Sequence, residues 1–222
     1  VNNTNTVNKS IILNVSVEEL YLANLTYNWN GTNFRMYDDS LVLMMNMDNL
    51  SSLGENSINV VDVSKYEYNG IVNGSIWNSS GKYGGGWTFD GINDYISGNL
   101  SDIPVTNNFT TSSWIKYNAI TSSIQTLTVL GERSGIRAIT YINPAGKPVC
   151  MITDGSSGGT QTAISQSILS IGTWNNIICT YNSSKLVISV NGIFSSIITS
   201  SQTLVNNNYS IGGGSSFDIG NG

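Results

Sequence analysis

The sequence predicts an all-β domain, a sandwich or barrel of short antiparallel strands. Two observations lead there: apolar and polar side chains alternate over short runs, and Asn-Gly pairs sit between such runs. A third is spacing, because these runs recur along the chain with turn residues between them. The runs are strand-sized, and only residues 17–24 could pass for a turn or two of helix.

Taken in order, Leu25-Thr26-Tyr27 and Phe34-Arg35-Met36-Tyr37 flank Asn30-Gly31, a hairpin cue. Strands are expected over residues 41–47, 87–89, 94–97, 109–117 and 126–130, then 138–142, 149–153, 176–181 and 209–211. Leu186, Ile188 and Val190 alternate with Val187, Ser189 and Asn191, and Asn191-Gly192 turns the chain into a strand over 193–198. Trp114 and Trp174 are expected as large apolar anchors. Residues 1–39 read as a polar extension with one or two strands, ending near Asp38-Asp39, and residues 40–222 as one domain.

Composition removes several classes of function. The 222 residues include 9 basic and 14 acidic side chains, a net charge of −5, and only 10% of residues are charged. Asn, Ser, Thr and Gly make up nearly half the chain, so amides and hydroxyls must dress the surface. So few, scattered cations give no footprint for nucleic acid. Without histidine there is no Ser-His-Asp or Cys-His machinery and no His-ligated zinc. No apolar run approaches the roughly 18 residues that span a bilayer, so no membrane insertion is expected. The opening Val-Asn-Asn-Thr is not a signal peptide, and suggests a mature product or an excised piece.

Sequons are dense, beginning at Asn2, Asn8, Asn14, Asn24, Asn30, Asn49, Asn73, Asn78, Asn99, Asn108, Asn182 and Asn208. A chain this rich in Asn, Ser and Thr produces some by chance; an extracellular or cell-surface chain carrying glycans is the sharper alternative.

Two blocks carry a family resemblance. One is GKYGGGWTFDGINDY, Gly81 to Tyr95; the other is TWNNIICTYNSSKLVISVNG, Thr173 to Gly192. With NNFTTSSWIKY between them and YSIGGG after, the ordered set resembles the laminin-G-like modules of the concanavalin A-like lectin/glucanase superfamily. The resemblance covers residues 41–214 and implies a jelly-roll sandwich of two curved antiparallel sheets. Such relatives bind sugars, proteins or calcium, and some are glycoside hydrolases. They usually continue past the YSIGGG-like strand into a closing strand of the type G-x-I-D-E-V-R-I. Here Phe217-Asp218-Ile219-Gly220-Asn221-Gly222 follows instead.

Hydrolysis needs two carboxylates flanking a sugar. The glucanase relatives carry Glu-x-Asp-x-x-Glu on one strand, and this chain has no such run. Its only adjacent acidic pairs, Glu18-Glu19 and Asp38-Asp39, point to opposite faces if extended. The expectation is therefore not an enzyme. Calcium takes oxygen ligands, and Asp48, Asp62, Asp90, Asn93 and Asp94 are its candidates. The competing role is local: Asp90 and Asp94 would cap a tight connection, and Asp62 would order the Val63-Ser64-Lys65 loop. The calcium-binding pentraxin relatives carry an acidic loop after their YSIGGG-like strand, where this chain has the neutral Gly213-Gly214-Ser215-Ser216.

Cys150 and Cys179 each have an isoleucine two residues away on the same face, so both face a core, as buried thiols or as a disulfide. The pentraxin-like relatives have a cysteine at the place of Cys179, but its partner falls where this chain has serines. Ligand contacts are expected from one rim, over residues 132–137, 154–160 and 215–222, with Arg133, Arg137, Tyr141, Asp154 and Asp218 as candidates. The functional expectation is a non-catalytic module for adhesion or carbohydrate binding, its partner a glycan or a surface protein. The alternative is a structural subunit of a surface layer or filament. There the alternating Ile11, Leu13, Val15 and Val17 would supply a strand to a neighbouring copy, giving self-association.

Overall fold

The computed structural model describes residues 25–29, 31–37, 40–100, 108–131, 137–154, 159–182, 184–199 and 208–213. The chain divides into two compact units, Val1–Leu41 and Val42–Gly222. In the first, β1 (Leu25–Trp29) and β2 (Thr32–Tyr37) pair antiparallel. Gly31, at φ 79°, closes this hairpin, and its N–H donates to Asn28 Oδ1 at 3.1 Å. The expected helical turn at 17–24, the strand at 11–17 and the boundary at Asp38-Asp39 lie outside the described residues.

The second unit begins with β3 (Asn59–Val60), β4 (Gly70–Asn73), β5 (Ile76–Asn78), β6 (Gly86–Thr88), β7 (Tyr95–Asn99) and β8 (Asn108–Lys116). There follow β9 (Gln125–Leu130), β10 (Arg137–Ile142), β11 (Pro148–Thr153) and β12 (Gln161–Ile164). The last are β13 (Trp174–Asn182), β14 (Lys185–Val190), β15 (Ile193–Thr199) and β16 (Asn208–Gly212). Eight strands form one sheet in the order β12-β11-β10-β9-β16-β7-β4-β3, and four form a second in the order β15-β14-β13-β8. This is the concanavalin A-like jelly-roll sandwich. Among the described residues no helix is long and apolar enough to cross a membrane.

The main core lies between the two sheets. Ala138, Ile142, Cys150, Ile152 and Ala163 from the larger sheet pack on Ile177, Cys179, Tyr181, Leu186 and Ile188 from the smaller. Each such aliphatic side chain contributes about 2 kcal/mol when withdrawn from water. Cys150 on β11 and Cys179 on β13 form a disulfide across these layers, their Cα atoms 5.6 Å apart. A second cluster, Val60, Val72 and Ile96 with Trp87 and Phe89 against it, fills the end under β3, β4 and β7.

The Asn191-Gly192 turn has positive φ at both residues, 52° and 81°, which is the backbone that a two-residue hairpin needs. Two expectations fail. Residues 41–47 do not form a strand: only an isolated bridge joins Met45 to Asp62. The N–H of Met44 is taken by the Asp62 carboxylate, 18 residues on, at 2.8 Å, and Met47 turns to φ 64°. Neither Trp114 nor Trp174 is a core anchor; Trp174 pairs in register with Lys116 and shares its outward face. Alternation along β8 turns Phe109 and Ile115 into the core, and so points Trp114 outward, 41% exposed.

Candidate functional site

The carboxylates expected to bind calcium are each engaged with the backbone. Asp62, buried beneath the chain, accepts the N–H groups of Met44 and Ser64 on Oδ1 and those of Tyr68 and the Ser64 hydroxyl on Oδ2. Four donors at 2.8–2.9 Å occupy its lone pairs and leave none for a cation. Asp90 Oδ1 accepts the N–H of Ile92 and of Asn93, and Asp94 Oδ2 accepts the N–H of Asp90. Chiefly the Ile92 N–H holds the Asp90 carboxyl below the usual carboxylate range, and burial opposes it. Asp48 Oδ1 accepts the N–H of Gly85 at 2.7 Å. Buried Glu55, overlooked in the sequence, likewise accepts from Leu50 and Val61. Among the described residues no three Cys, Asp or Glu side chains gather to hold a metal. These four Asp carboxylates clamp the loops around them.

The rim candidates fall into two groups. Arg133 and Asp218 lie outside the described residues, as does much of the expected rim. Arg137 pairs in register with Thr153, so Asp154, one residue on, lies at the same end of β10 and β11. Tyr141, four residues along β10, shares the Arg137 face and packs against Val129, Ile139 and Met151. Burial pushes the Tyr141 hydroxyl above its ordinary pKa. Tyr209, on β16, is pushed up more strongly, first by burial and then by the charge of Asp62, while its hydroxyl donates to Tyr68 O at 2.8 Å.

Of the sequon asparagines, Asn14, Asn24 and Asn30 lie outside the described residues. Asn78, Asn99, Asn108 and Asn182 are exposed, whereas Asn49, Asn73 and Asn208 are half-buried. Register sets Asn99 opposite Asn208 and Asn108 opposite Asn182. Asn182 Oδ1 also accepts the N–H of Lys185 at 3.0 Å, closing the turn after β13.

One constellation was not foreseen. Tyr83 meets Trp114 edge-on, ring centroids 5.8 Å apart at 88°. Lys82 Nζ stands 4.7 Å from the Trp114 ring centroid and 5.6 Å from that of Tyr83. The loop that presents Lys82 and Tyr83 is pinned from below. The N–H of Gly81 donates to Gly84 O, the Asp48 carboxylate takes the N–H of Gly85, and Gly85 lies against the Trp77 indole, where a Cβ would collide. Trp77 Nε1–H in turn donates to Met47 O at 3.1 Å. Beside Trp114 the outward face of the four-stranded sheet carries hydroxyls and amides, with Lys116 at its end. Asn176 Nδ2 donates to Ser112 Oγ at 3.2 Å, and the Thr110 and Thr180 hydroxyls share a hydrogen bond at 3.2 Å.

The family follows from this sandwich and from a direct match. A laminin-G-type model, described as the concanavalin A-like lectin/glucanases superfamily, matches residues 90–221, more than half of the sequence. The chain belongs to that superfamily. No curated protein sequence matches it. Among solved structures it is similar to an HCR/D mutant, at 16% identity over 77% of this chain and 42% of that one, with a TM-score of 0.58. It is also similar to domain 4 of AbnA, a GH43 extracellular arabinanase from Geobacillus stearothermophilus, in complex with arabinotriose. There the identity is 17% over 66% of this chain and 69% of that one, with a TM-score of 0.50. Domains LG4-5 of the mouse laminin alpha1 chain are similar at 21% identity over 55% of this chain, with a TM-score of 0.46. The chain spans 32% of the length of that laminin chain.

Proposed function

We propose that residues 42–222 form a non-catalytic module of an extracellular or surface protein that binds a glycan. The observation that carries this is the outward face of the four-stranded sheet. Thr110, Ser112, Asn176 and Thr180 present hydroxyls and amides to solvent, uncharged and already ordered by bonds to one another. Such groups match the hydroxyls of a sugar in number and kind, and a pre-ordered surface lowers the entropy lost on binding. The AbnA domain, of the same fold, was solved with arabinotriose, which supports the reading by analogy alone. The rim of Arg137, Tyr141 and Asp154 is a second surface suited to a glycan or a partner protein. A glycan array probed with the full chain tests the proposal. Saturable binding to a defined glycan class is expected, and a blank array would remove it.

A structural subunit is the second reading, favoured by one observation. Among the described residues β8, nine residues long, is an edge that pairs with β13 alone. An open edge recruits a strand, and residues 11–17, outside the described ones, have the alternation to provide it. Deleting residues 1–20 should then abolish concentration-dependent assembly in sedimentation velocity. A monomer at every concentration would dismiss this reading.

A further inference from the structure

We propose that Lys82, Tyr83 and Trp114 form a platform for an acidic sugar, a pyranose that bears a carboxylate. The proposal rests on the glycan-binding reading and names its site and ligand class. Three features of the molecule meet here.

The first is exposure. Tyr83 is 70% exposed and Trp114 41%, although the two rings touch. Leaving such rings in water forgoes part of the stabilisation that burial would give them. The two rings, set perpendicular to one another, offer apolar surface to the C–H face of a sugar ring, and the Tyr83 hydroxyl supplies a polar handle beside it.

The second is rigidity. The loop carrying Lys82 and Tyr83 is only four residues from Gly81 to Gly84, closed by its own hydrogen bond at 2.8 Å. Asp48, 37 residues earlier in the chain, fixes it through Gly85. The platform therefore exists before the ligand arrives, and little ordering is left for binding to offset.

The third is charge. None of the 14 acidic residues lies on β8, β13, β14 or β15, whereas Lys116 and Lys185 do. Lys82 adds an ammonium held over both rings. Among the described residues the strands of this sheet carry no carboxylate, although the chain has a net charge of −5. Ring contact alone would accept a neutral sugar equally well; the ammonium held over the rings is what selects a carboxylate. The neighbouring Ser112 and Asn176, the latter directly opposite Trp114 in register, reach the remaining hydroxyls of the same ligand.

Titration calorimetry of the full chain with tetragalacturonate, and with maltotetraose as the uncharged counterpart, tests the assignment. Tetragalacturonate should bind at least about tenfold more tightly than maltotetraose, and the preference should shrink as salt is raised. Lys82→Gln should weaken tetragalacturonate binding by about tenfold and leave maltotetraose unchanged, as expected for one charge-assisted contact. Tyr83→Ala should remove binding of both, with an unaltered thermal midpoint proving that the variant is folded. Lys147→Gln, a cation outside this sheet, serves as the charge-matched control. Wild-type binding by Lys82→Gln and Tyr83→Ala would overturn the platform, and loss in Arg137→Ala instead would place the ligand on the rim. Failure of tetragalacturonate while other glycans bind on the array would overturn the ligand class alone and leave the module reading intact. A dimer that Trp114→Ala dissolves, without sugar binding, would show that a second copy covers the rings.

Discussion

The two sheets turn opposite chemistry away from the core. On the larger one, Val129, Ile139 and Met151 point away from the main core yet are almost completely buried, Ile139 at 0% exposure. On the smaller one, the outward positions Thr110, Ser112, Trp114 and Lys116 are all exposed. The difference is written in the parity of the apolar residues. In β10 and β11 apolar side chains occupy both parities, as Ala138-Ile139 and Cys150-Met151 show, so every residue of β11 is buried. In β8 one parity is polar, and that parity meets water. A strand apolar on both faces signals a covered layer, and a strand apolar on one face signals a surface on which ligands can act.

The comparison breaks most readily with a charge. Ile139→Asp places an unpaired carboxylate on the covered face and should cost about 4 kcal/mol or more, a large share of a domain's whole stability. Thr110→Asp, the same chemistry on the open face, should stay within about 0.5 kcal/mol. Urea unfolding of the two variants decides it: similar midpoints would mean that the two faces do not differ as described. A smaller loss should follow from untying the layers. The double variant Cys150→Ala with Cys179→Ala should lose about 3.6 kcal/mol for a loop of this length. The reduced wild-type protein should unfold at the same urea concentration as the variant. The smallest effect concerns calcium. Because both oxygens of Asp62 and Oδ1 of Asp90 already accept N–H and O–H donors, neither added calcium nor a chelator should move the thermal midpoint. A rise of several degrees with calcium would return these carboxylates to a ligand role.

Much of the sandwich was legible, because alternation and turn chemistry are local. The hairpin around Asn191-Gly192 depends on two residues that tolerate positive φ, and the alternation on either side fixes which residues face inward. Strands β4 and β12 were not legible. GIVN and QTAI are too short and too polar to alternate visibly, and their neighbours in the sheet stabilise them. The opposite error at residues 41–47 has a similar origin. An apolar run suggests a strand, but a distant carboxylate captured the amide at Met44 that a ladder would have used.

The candidate site was legible only in pieces. Asp48 read as an oxygen ligand; that it holds the Gly85 amide is a contact across 37 residues. Lys82, Tyr83 and Trp114 were visible as family-block residues, yet no spacing rule brings position 83 to position 114. The available clue was the parity of Trp114 itself. A tryptophan on the same parity as Thr110, Ser112 and Lys116 belongs outside, and an outward tryptophan needs a reason.

The Cys150–Cys179 crosslink has a mechanical consequence. It joins residues 29 apart, and so encloses the end of β11, all of β12 and most of β13 in one covalent loop. A chain drawn out under tension from its two termini can lengthen only along the path that runs through the sulfurs. The enclosed segment would otherwise yield about 100 Å of contour at about 3.5 Å per residue. Oxidised, the module would withhold that length; reduced, it would release it as a single additional extension step under the same pull.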